Sequence, residues 1–163
     1  MRLLPIVLML APAVAIAVQP GPFAKPSLDK PVPQVESPGP LPEAKDVVSW
    51  RTLAQVEMVK IRNKMVPQYS DNITALDRKM VKLQGYIMPL ELGDRQKRFL
   101  LSANAPTCAY CLPGGPDSLV EVLAKEPIRY GIEPVVVSGT LTVLKNDPTG
   151  LFYRMNDAVL VSR

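Results

Sequence analysis

The chain of 163 residues contains no histidine and only two cysteines. Without an imidazole it cannot build a Ser–His or Cys–His nucleophile pair from its own residues, and it lacks the commonest general base of enzymes. It also cannot offer histidine as a zinc ligand. These absences favour a non-enzymatic binding module over a hydrolase, and they leave a thiol oxidoreductase as the open enzymatic alternative.

The chain also has only a small excess of positive charge, with a net charge of +4. The basic surplus is scattered, and its one local cluster is "DRQKR" at residues 94–98. Nucleic-acid-binding domains instead carry a continuous basic face or stripe. A phosphate-binding loop is missing too, since "PGGP" (113–116) has neither the lysine nor the helix that such a loop requires. The sequence therefore predicts no nucleic-acid partner.

The first 17 residues have the pattern of a secretory signal peptide. Arg2 precedes an uncharged apolar run over residues 3–16, and "AIA" (15–17) supplies the small residues of a cleavage site after Ala17. The run is shorter than the roughly 20 residues of a membrane-spanning helix. We therefore expect a periplasmic or secreted protein with no membrane span once the signal is removed.

Proline is abundant but unevenly placed, with much of the total of 18 lying between residues 18 and 48. Proline removes a backbone donor and fixes φ, so this stretch predicts a linker or disordered tail without regular elements. The remaining residues, 49–163, have the length of one ordinary domain.

One helix is predicted at the start of this domain, over residues 52–65. Thr52 and Gln55 form a capping-box pattern. An apolar stripe at helical spacing follows, made of Ala54, Met58, Ile61 and Met65.

The rest of the domain has the pattern of five strands without a βαβ rhythm. Alternating or β-branched runs occupy residues 79–91, 98–102, 134–144 and 151–161. Residues 118–124 fit a short helix or a strand, and we favour the strand. Gly85 and Gly139 lie in the middle of two strands, which suits a bulge or sharp coil where a small barrel closes. The predicted fold is mainly β, a small OB-like five-stranded barrel with one N-terminal amphipathic helix.

Both cysteines lie in "PTCAYCLPGGPDS", residues 106–118. The Cys108–Cys111 spacing can place two thiolates on one metal ion. Asp117 and Glu121 are nearby candidate carboxylate ligands. A closed four-ligand zinc site would still need a second subunit or a partner protein. Copper(I) is satisfied by two or three soft ligands, and Met88 and Met155 are candidate thioether donors.

Two other interpretations of the cysteine pair stay open. The spacing is that of thioredoxin-like oxidoreductases, although a proline- and glycine-rich turn follows Cys111 instead of a helix. In an oxidising compartment the pair could also form a structural disulfide that stiffens a recognition loop. In each case Tyr110, between the thiols, and Pro113, just after them, belong to the binding loop. Whether the chain forms a homodimer is left open.

The segments "LQGYIMPLE" (83–91), "PTCAYC" (106–111) and "VSGTL" (137–141) carry a family resemblance. Through them, residues 49–161 resemble the exported bacterial family called domain of unknown function 3299. The resemblance implies a cysteine turn that bears metal ligands, and a partner in envelope transport or metal handling, with zinc as one candidate metal. It implies no defined activity.

Overall fold

The computed structural model describes residue 41, residues 46–106 and residues 113–163. The predicted signal peptide, nearly all of the proline-rich segment, and Cys108, Tyr110 and Cys111 lie outside the described residues. The strands are β1 (Val56–Ile61), β2 (Lys64–Tyr69), β3 (Met80–Pro89), β4 (Arg95–Ser102), β5 (Leu119–Arg129), β6 (Val135–Val143) and β7 (Tyr153–Ser162). The helices are α1 (Trp50–Leu53) and α2 (Asp71–Thr74), with a single 3₁₀ turn at Pro116–Ser118.

Five strands close into a barrel in the order β3-β4-β5-β7-β6. Strands β5 and β7 pair in parallel, and every other neighbouring pair is antiparallel. Strands make up 53% of the described residues and helices 10%. The prediction of a mainly β, five-stranded barrel is confirmed, and residues 119–124 belong to strand β5 as expected, while Ser118 ends the 3₁₀ turn before it.

The barrel encloses a continuous apolar core. Alternate residues of each strand point inward, as the period of two requires. The wholly buried side chains include Leu83, Phe99, Leu101, Val120, Val122, Val137, Leu141, Tyr153 and Met155. The two aromatic residues in this set are therefore packing residues of the core.

Gly85 and Gly139 stand where neighbouring strands approach too closely for a side chain. A Cβ at Gly139 would lie 2.6 Å from Cγ of Met155 and 2.8 Å from the carbonyl oxygen of Asn156. The β6–β7 register shifts at this point. At Gly85, strand β3 changes its pairing partner from β6 to β4. Both glycines thus mark places where the sheet bends into a barrel, as the sequence suggested.

The helix predicted over residues 52–65 is wrong in extent. Helix α1 ends at Leu53, and an antiparallel hairpin, β1–β2, follows it. The hairpin turns at Arg62 and Asn63, whose φ angles are 46° and 65°. Two positive φ angles are typical of a two-residue hairpin turn, and Asn accepts that conformation readily. β-Branched residues along both strands support the extended form, so the helical spacing of the apolar residues was coincidental.

Short helices attach the hairpin to the barrel. The hydroxyl of Tyr153 donates a hydrogen bond to the carbonyl oxygen of Leu53 at 2.6 Å, and both residues are buried. Ser70 caps the N-terminus of helix α2, where its hydroxyl accepts a hydrogen bond from the amide of Ile73. Within the described ranges, no helix has both the length and the apolar character needed to cross a membrane.

Candidate functional site

The segment with the cysteines joins two neighbouring strands at one end of the barrel. Ser102, the last residue of β4, is paired with Leu119, the first residue of β5. Residues 103–118 therefore leave and return at the same place. Strand directions put the β6–β7 turn, residues 144–152, at this end too. We call this the cysteine end of the barrel.

Hydrogen bonds join the two stems of this segment. The amide of Ala103 donates to the carbonyl oxygen of Ser118 at 3.0 Å. The side-chain amide of Asn104 donates to the carbonyl oxygen of Pro113 at 2.9 Å. The buried Ser102 holds Asn104 in turn. The hydroxyl of Ser102 donates to the backbone carbonyl oxygen of Asn104 at 2.8 Å and accepts from the backbone amide of Asn104 at 3.1 Å. The stems are thus closed immediately before and after residues 107–112.

Of the residues predicted for the binding site, Pro113 and Asp117 are described. Pro113 is half-buried and provides the carbonyl that Asn104 holds. Asp117 is half-buried in the 3₁₀ turn, and a Cβ added at Gly115 would lie 2.6 Å from its Oδ1. The carboxylate therefore lies against the backbone of the returning stem. Cys108, Cys111 and Tyr110 fall outside the described residues, so the predicted metal pair, its disulfide alternative and the loop tyrosine stay predictions.

Asp117 also contributes to the electrostatics of the cysteine end. Burial raises the pKa of Tyr153 well above its usual value, and the neighbouring Tyr69 and the charge of Asp117 raise it further. Burial likewise raises the pKa of Tyr69 to about 12. Both phenols remain protonated and act as hydrogen-bond donors, with Tyr69 bonded to the carbonyl of Leu144.

The two methionines named from the sequence as soft donors are packing residues. Met155 is wholly buried in the barrel core, where it lies against Gly139. Met88 is buried outside the barrel in a small apolar cluster with Leu100 and Leu119. Neither thioether is available as an accessible ligand, which corrects the expectation that they would assist copper binding.

Two other methionines lie beside the cysteine segment. Met58 and Met65 are 47% and 58% exposed on the β1–β2 hairpin. They share one face of the hairpin, since Met58 is opposite Pro67 and Met65 is opposite Lys60. With Pro116 of the returning stem they line a cleft of about 340 Å³, which is completed by Pro67, Leu151 and Phe152 among others.

The cleft could not be predicted from the sequence, because the predicted helix over residues 52–65 contained both methionines. In the hairpin, Met58 and Lys60 are two residues apart and therefore on the same face of β1. The signal that could have revealed the hairpin is Asn63 at the centre of a run rich in β-branched residues.

A buried carboxylate links three neighbouring strands of the barrel, β4, β5 and β7, near this end. Glu121 on β5 is 2% exposed and lies between two arginines on the neighbouring strands. Arg98 of β4 reaches its Oε1 at 2.7 Å, and Arg154 of β7 reaches its Oε2 at 2.5 Å. Arg154 also pairs with Asp147 of the β6–β7 turn at 3.4 Å. The network ties that turn to the sheet, and sequence analysis gave no sign of it.

The ionisation of Glu121 follows from these contacts. Burial by itself raises the pKa of the carboxyl, but hydrogen bonds from Arg154 and Arg98, together with their charges, outweigh it. The net result is a pKa below the ordinary value of 4.5. Glu121 is therefore a charged structural residue at neutral pH. The expectation that it is a nearby metal ligand is corrected, because arginines already occupy both of its carboxylate oxygens.

The described parts of the chain do not by themselves complete a metal site. In residues 46–106 and 113–163, no group of three or more His, Cys, Asp or Glu side chains is placed to hold a metal ion. Soft neighbouring donors such as thioethers suit copper(I) better than zinc.

Comparison with known proteins identifies the family of the chain without an activity. Residues 32–159 match the family model described as protein of unknown function DUF3299. The chain is similar to a crystal structure of a DUF3299 family protein from Pseudomonas aeruginosa PAO1, with 25% identity over 60% of this chain and 68% of that chain, at a TM-score of 0.47. No curated protein matches the chain. Because the family model spans most of its length, this chain belongs to the DUF3299 family.

Proposed function

We propose that this protein is an exported, non-enzymatic accessory module that captures a metal ion with Cys108 and Cys111. The ion is copper(I), or zinc where a partner supplies further ligands. The observation that carries the proposal is the closure of the cysteine segment by Asn104 and Pro113 at the end of a rigid barrel. A loop fixed at both stems loses less entropy when its two thiolates converge on one ion.

The available donors support copper(I) before zinc. A structural zinc site takes four ligands, whereas copper(I) accepts fewer and prefers sulfur. Met58 and Met65 offer thioethers in the cleft that Pro116 borders, five residues after Cys111. The half-buried Asp117 is the nearby oxygen donor on which a zinc site would draw.

Capture is favoured over thiol–disulfide exchange by the surroundings of the motif. In thioredoxin-like proteins a helix N-terminus beside the first cysteine lowers the pKa of its thiol. Here the described residues after the motif, 113–118, form a turn and one 3₁₀ turn of three residues. The barrel also lacks the βαβ unit in which the redox motif normally lies.

We expect a partner in envelope transport or metal handling, because the proposed module binds a metal ion and catalyses no reaction. Delivery of the bound ion to another protein is the role that we expect for such a module. The cysteine end, with its exposed methionines and the loop of Tyr110 and Pro113, is the surface on which we expect that delivery to occur.

The experiment compares the purified protein with its Cys108→Ser and Cys111→Ser variants, using zinc and copper(I) separately as probes under reducing conditions. Capture predicts one bound ion per chain in the unaltered protein, and loss of binding in both variants. A protein that binds neither ion but reduces insulin disulfides would overturn capture in favour of exchange. Mass measurement and thiol titration detect a Cys108–Cys111 disulfide. If that disulfide resists reductant in the folded protein, the cysteine pair has only a structural role and capture is overturned.

A further inference from the structure

The end of the barrel opposite the cysteines carries the most exposed large aliphatic side chains of the described residues. It consists of the β3–β4 turn (90–94), the β5–β6 turn (130–134) and the end of β7. Leu92 is 103% exposed and Ile132 is 83% exposed, one at each turn. Further exposed apolar residues at this end are Leu90, Tyr130, Val159, Leu160 and Val161. We call this surface the apolar end.

Hydrogen bonds from one buried side chain fix the turn that bears Leu92. Gln96 is wholly buried, and its side-chain amide donates to the carbonyl oxygens of Glu91 at 3.0 Å and Gly93 at 2.8 Å. Its side-chain oxygen accepts from the amide of Glu91 at 3.1 Å. Gly93 has a φ of +108°, a conformation that other residues adopt only with strain. The exposure of Leu92 is therefore built into a fixed turn, which limits the entropy lost on binding.

The two turns form one surface. The amide of Tyr130 donates to the carbonyl oxygen of Asp94 at 2.7 Å. Arg95 and Arg129 are paired in the β4–β5 register, and Arg129 forms an ion pair with Asp94 at 3.8 Å. The guanidinium of Arg163 donates to the carbonyl of Arg129, which ties the end of β7 to the same turns.

A groove extends this surface along the barrel wall. The pairing of β5 with β7 ends at Ala124 and Ala158, and beyond these residues the two strands separate. A groove of about 390 Å³ lies where they part, and Ile128, Val159 and Leu160 provide its apolar lining. The exposed side chains of Leu92 and Ile132 and the groove therefore give this surface both a protruding and a concave apolar part.

The charges around the apolar end have both signs. Acidic residues at this end are Glu91, Asp94, Glu126 and Glu133, and basic residues are Arg95, Lys97, Arg129 and Arg163. An anionic lipid surface would repel the acidic set, and a strongly acidic or basic partner would meet like charges. A second copy of the same surface, turned about a two-fold axis, can place each sign opposite the other.

We propose that this protein forms a two-fold homodimer through the apolar end, with Leu92 and Ile132 in the centre of the interface. Large exposed apolar patches rimmed by polar residues are typical of interaction sites. In an isologous contact the aliphatic tips of one copy meet the groove or the tips of the other. The cysteine ends of the two barrels then face away from the interface, so formation of the dimer does not depend on metal capture.

Sedimentation of the purified protein, over a concentration series without added metal, tests the proposal. The expected result is a dimer that Leu92→Asp or Ile132→Asp weakens by at least about tenfold in dissociation constant, as loss of a central interface residue does. Met80→Asp is the matched control, because Met80 is 70% exposed but begins β3 near the cysteine end, and it should leave the dimer intact.

Two results would overturn the dimer. One is a monomer at all concentrations up to several hundred micromolar. The other is a monomer that binds vesicles of phosphatidylglycerol and phosphatidylethanolamine through Leu92 and Ile132, which would assign the apolar end to lipid. Both aspartate substitutions are at exposed positions and should leave the fold intact. Thermal unfolding of each variant checks this. Metal capture is measured separately, and its failure would leave the sedimentation result unchanged.

Discussion

The side-chain amide of Asn104 holds the carbonyl oxygen of Pro113 at 2.9 Å, across the base of the segment that contains both cysteines. Asn104 is in turn fixed by two hydrogen bonds with the buried Ser102 at the end of β4. The cysteine loop is therefore attached to the barrel through side chains as well as through the chain itself.

Asn104→Ala should weaken metal capture without unfolding the protein. The lost hydrogen bond is exposed and contributes about 0.5–1.5 kcal/mol, so we expect copper(I) affinity to fall by about two- to twelvefold. The measurement is competition with a chromophoric copper(I) chelator. Asn72→Ala is the matched control, since Asn72 donates a similar exposed hydrogen bond to Gln55 away from the loop. Equal affinity in all three proteins would show that the closure is irrelevant to binding.

Met58 and Met65 should contribute to copper(I) affinity but not to zinc affinity, because a thioether is a soft ligand. The double change Met58→Leu and Met65→Leu keeps size and apolar character while it removes both sulfurs. We expect weaker copper(I) binding and unchanged zinc binding, measured by the same competition. Met80→Leu, which removes an exposed sulfur outside the cleft, should change neither. A loss of both metals together would point to a packing effect of the hairpin.

Gly139→Ala should destabilise the barrel by about 1–3 kcal/mol, the range observed for overpacked cores. The added Cβ would meet the backbone oxygen of Asn156 at 2.8 Å as well as the side chain of Met155. Gly131→Ala is the control, because its Cβ would meet a side-chain atom, a guanidinium nitrogen of Arg163 at 3.1 Å, and no backbone atom within 4 Å. Urea unfolding measures both. An unchanged free energy of unfolding in Gly139→Ala would contradict the close approach of β6 and β7.

The pairing of Glu121 with Arg98 and Arg154 should make stability dependent on pH. The pKa of Glu121 is lowered in the folded protein, so its contribution is fully present above the ordinary value of 4.5 and is lost as the pH falls through the folded pKa. Glu121→Gln should cost about 1–3 kcal/mol at pH 7, since it weakens two charge-assisted hydrogen bonds. The difference from the unaltered protein should shrink below pH 4.5.

Thermal unfolding between pH 3 and pH 7 measures this difference. The exposed Glu57 supplies the control, Glu57→Gln, which should follow the unaltered protein at every pH. A Glu121→Gln difference that stays constant down to pH 3 would show that the carboxylate charge does not stabilise the fold.

The barrel could be predicted from the sequence because its signals are local and repeated. Strands with alternating apolar residues, glycines at the middle of β3 and β6, and the lack of a βαβ rhythm all indicate a small closed sheet. The order in which β7 lies between β5 and β6 is not written in any one segment, since it depends on which strands meet after the chain has folded.

The hairpin could not be predicted in the same way. Met58, Ile61 and Met65 are spaced for one face of a helix, but the same residues also fit a hairpin once Arg62 and Asn63 turn the chain. Local spacing did not distinguish these two structures. The buried Glu121 was equally hidden, because a single glutamate in an apolar run shows no sign of the arginines that meet it from β4 and β7.

The most direct test of the account is the number of copper(I) ions bound per chain, measured by native mass spectrometry on reduced protein. Metal capture by the cysteine pair predicts one ion in the unaltered protein and none in Cys108→Ser or Cys111→Ser, with the barrel still folded in each. An unaltered protein that stays free of copper(I) under reducing conditions, or cysteine variants that retain the ion, would contradict it.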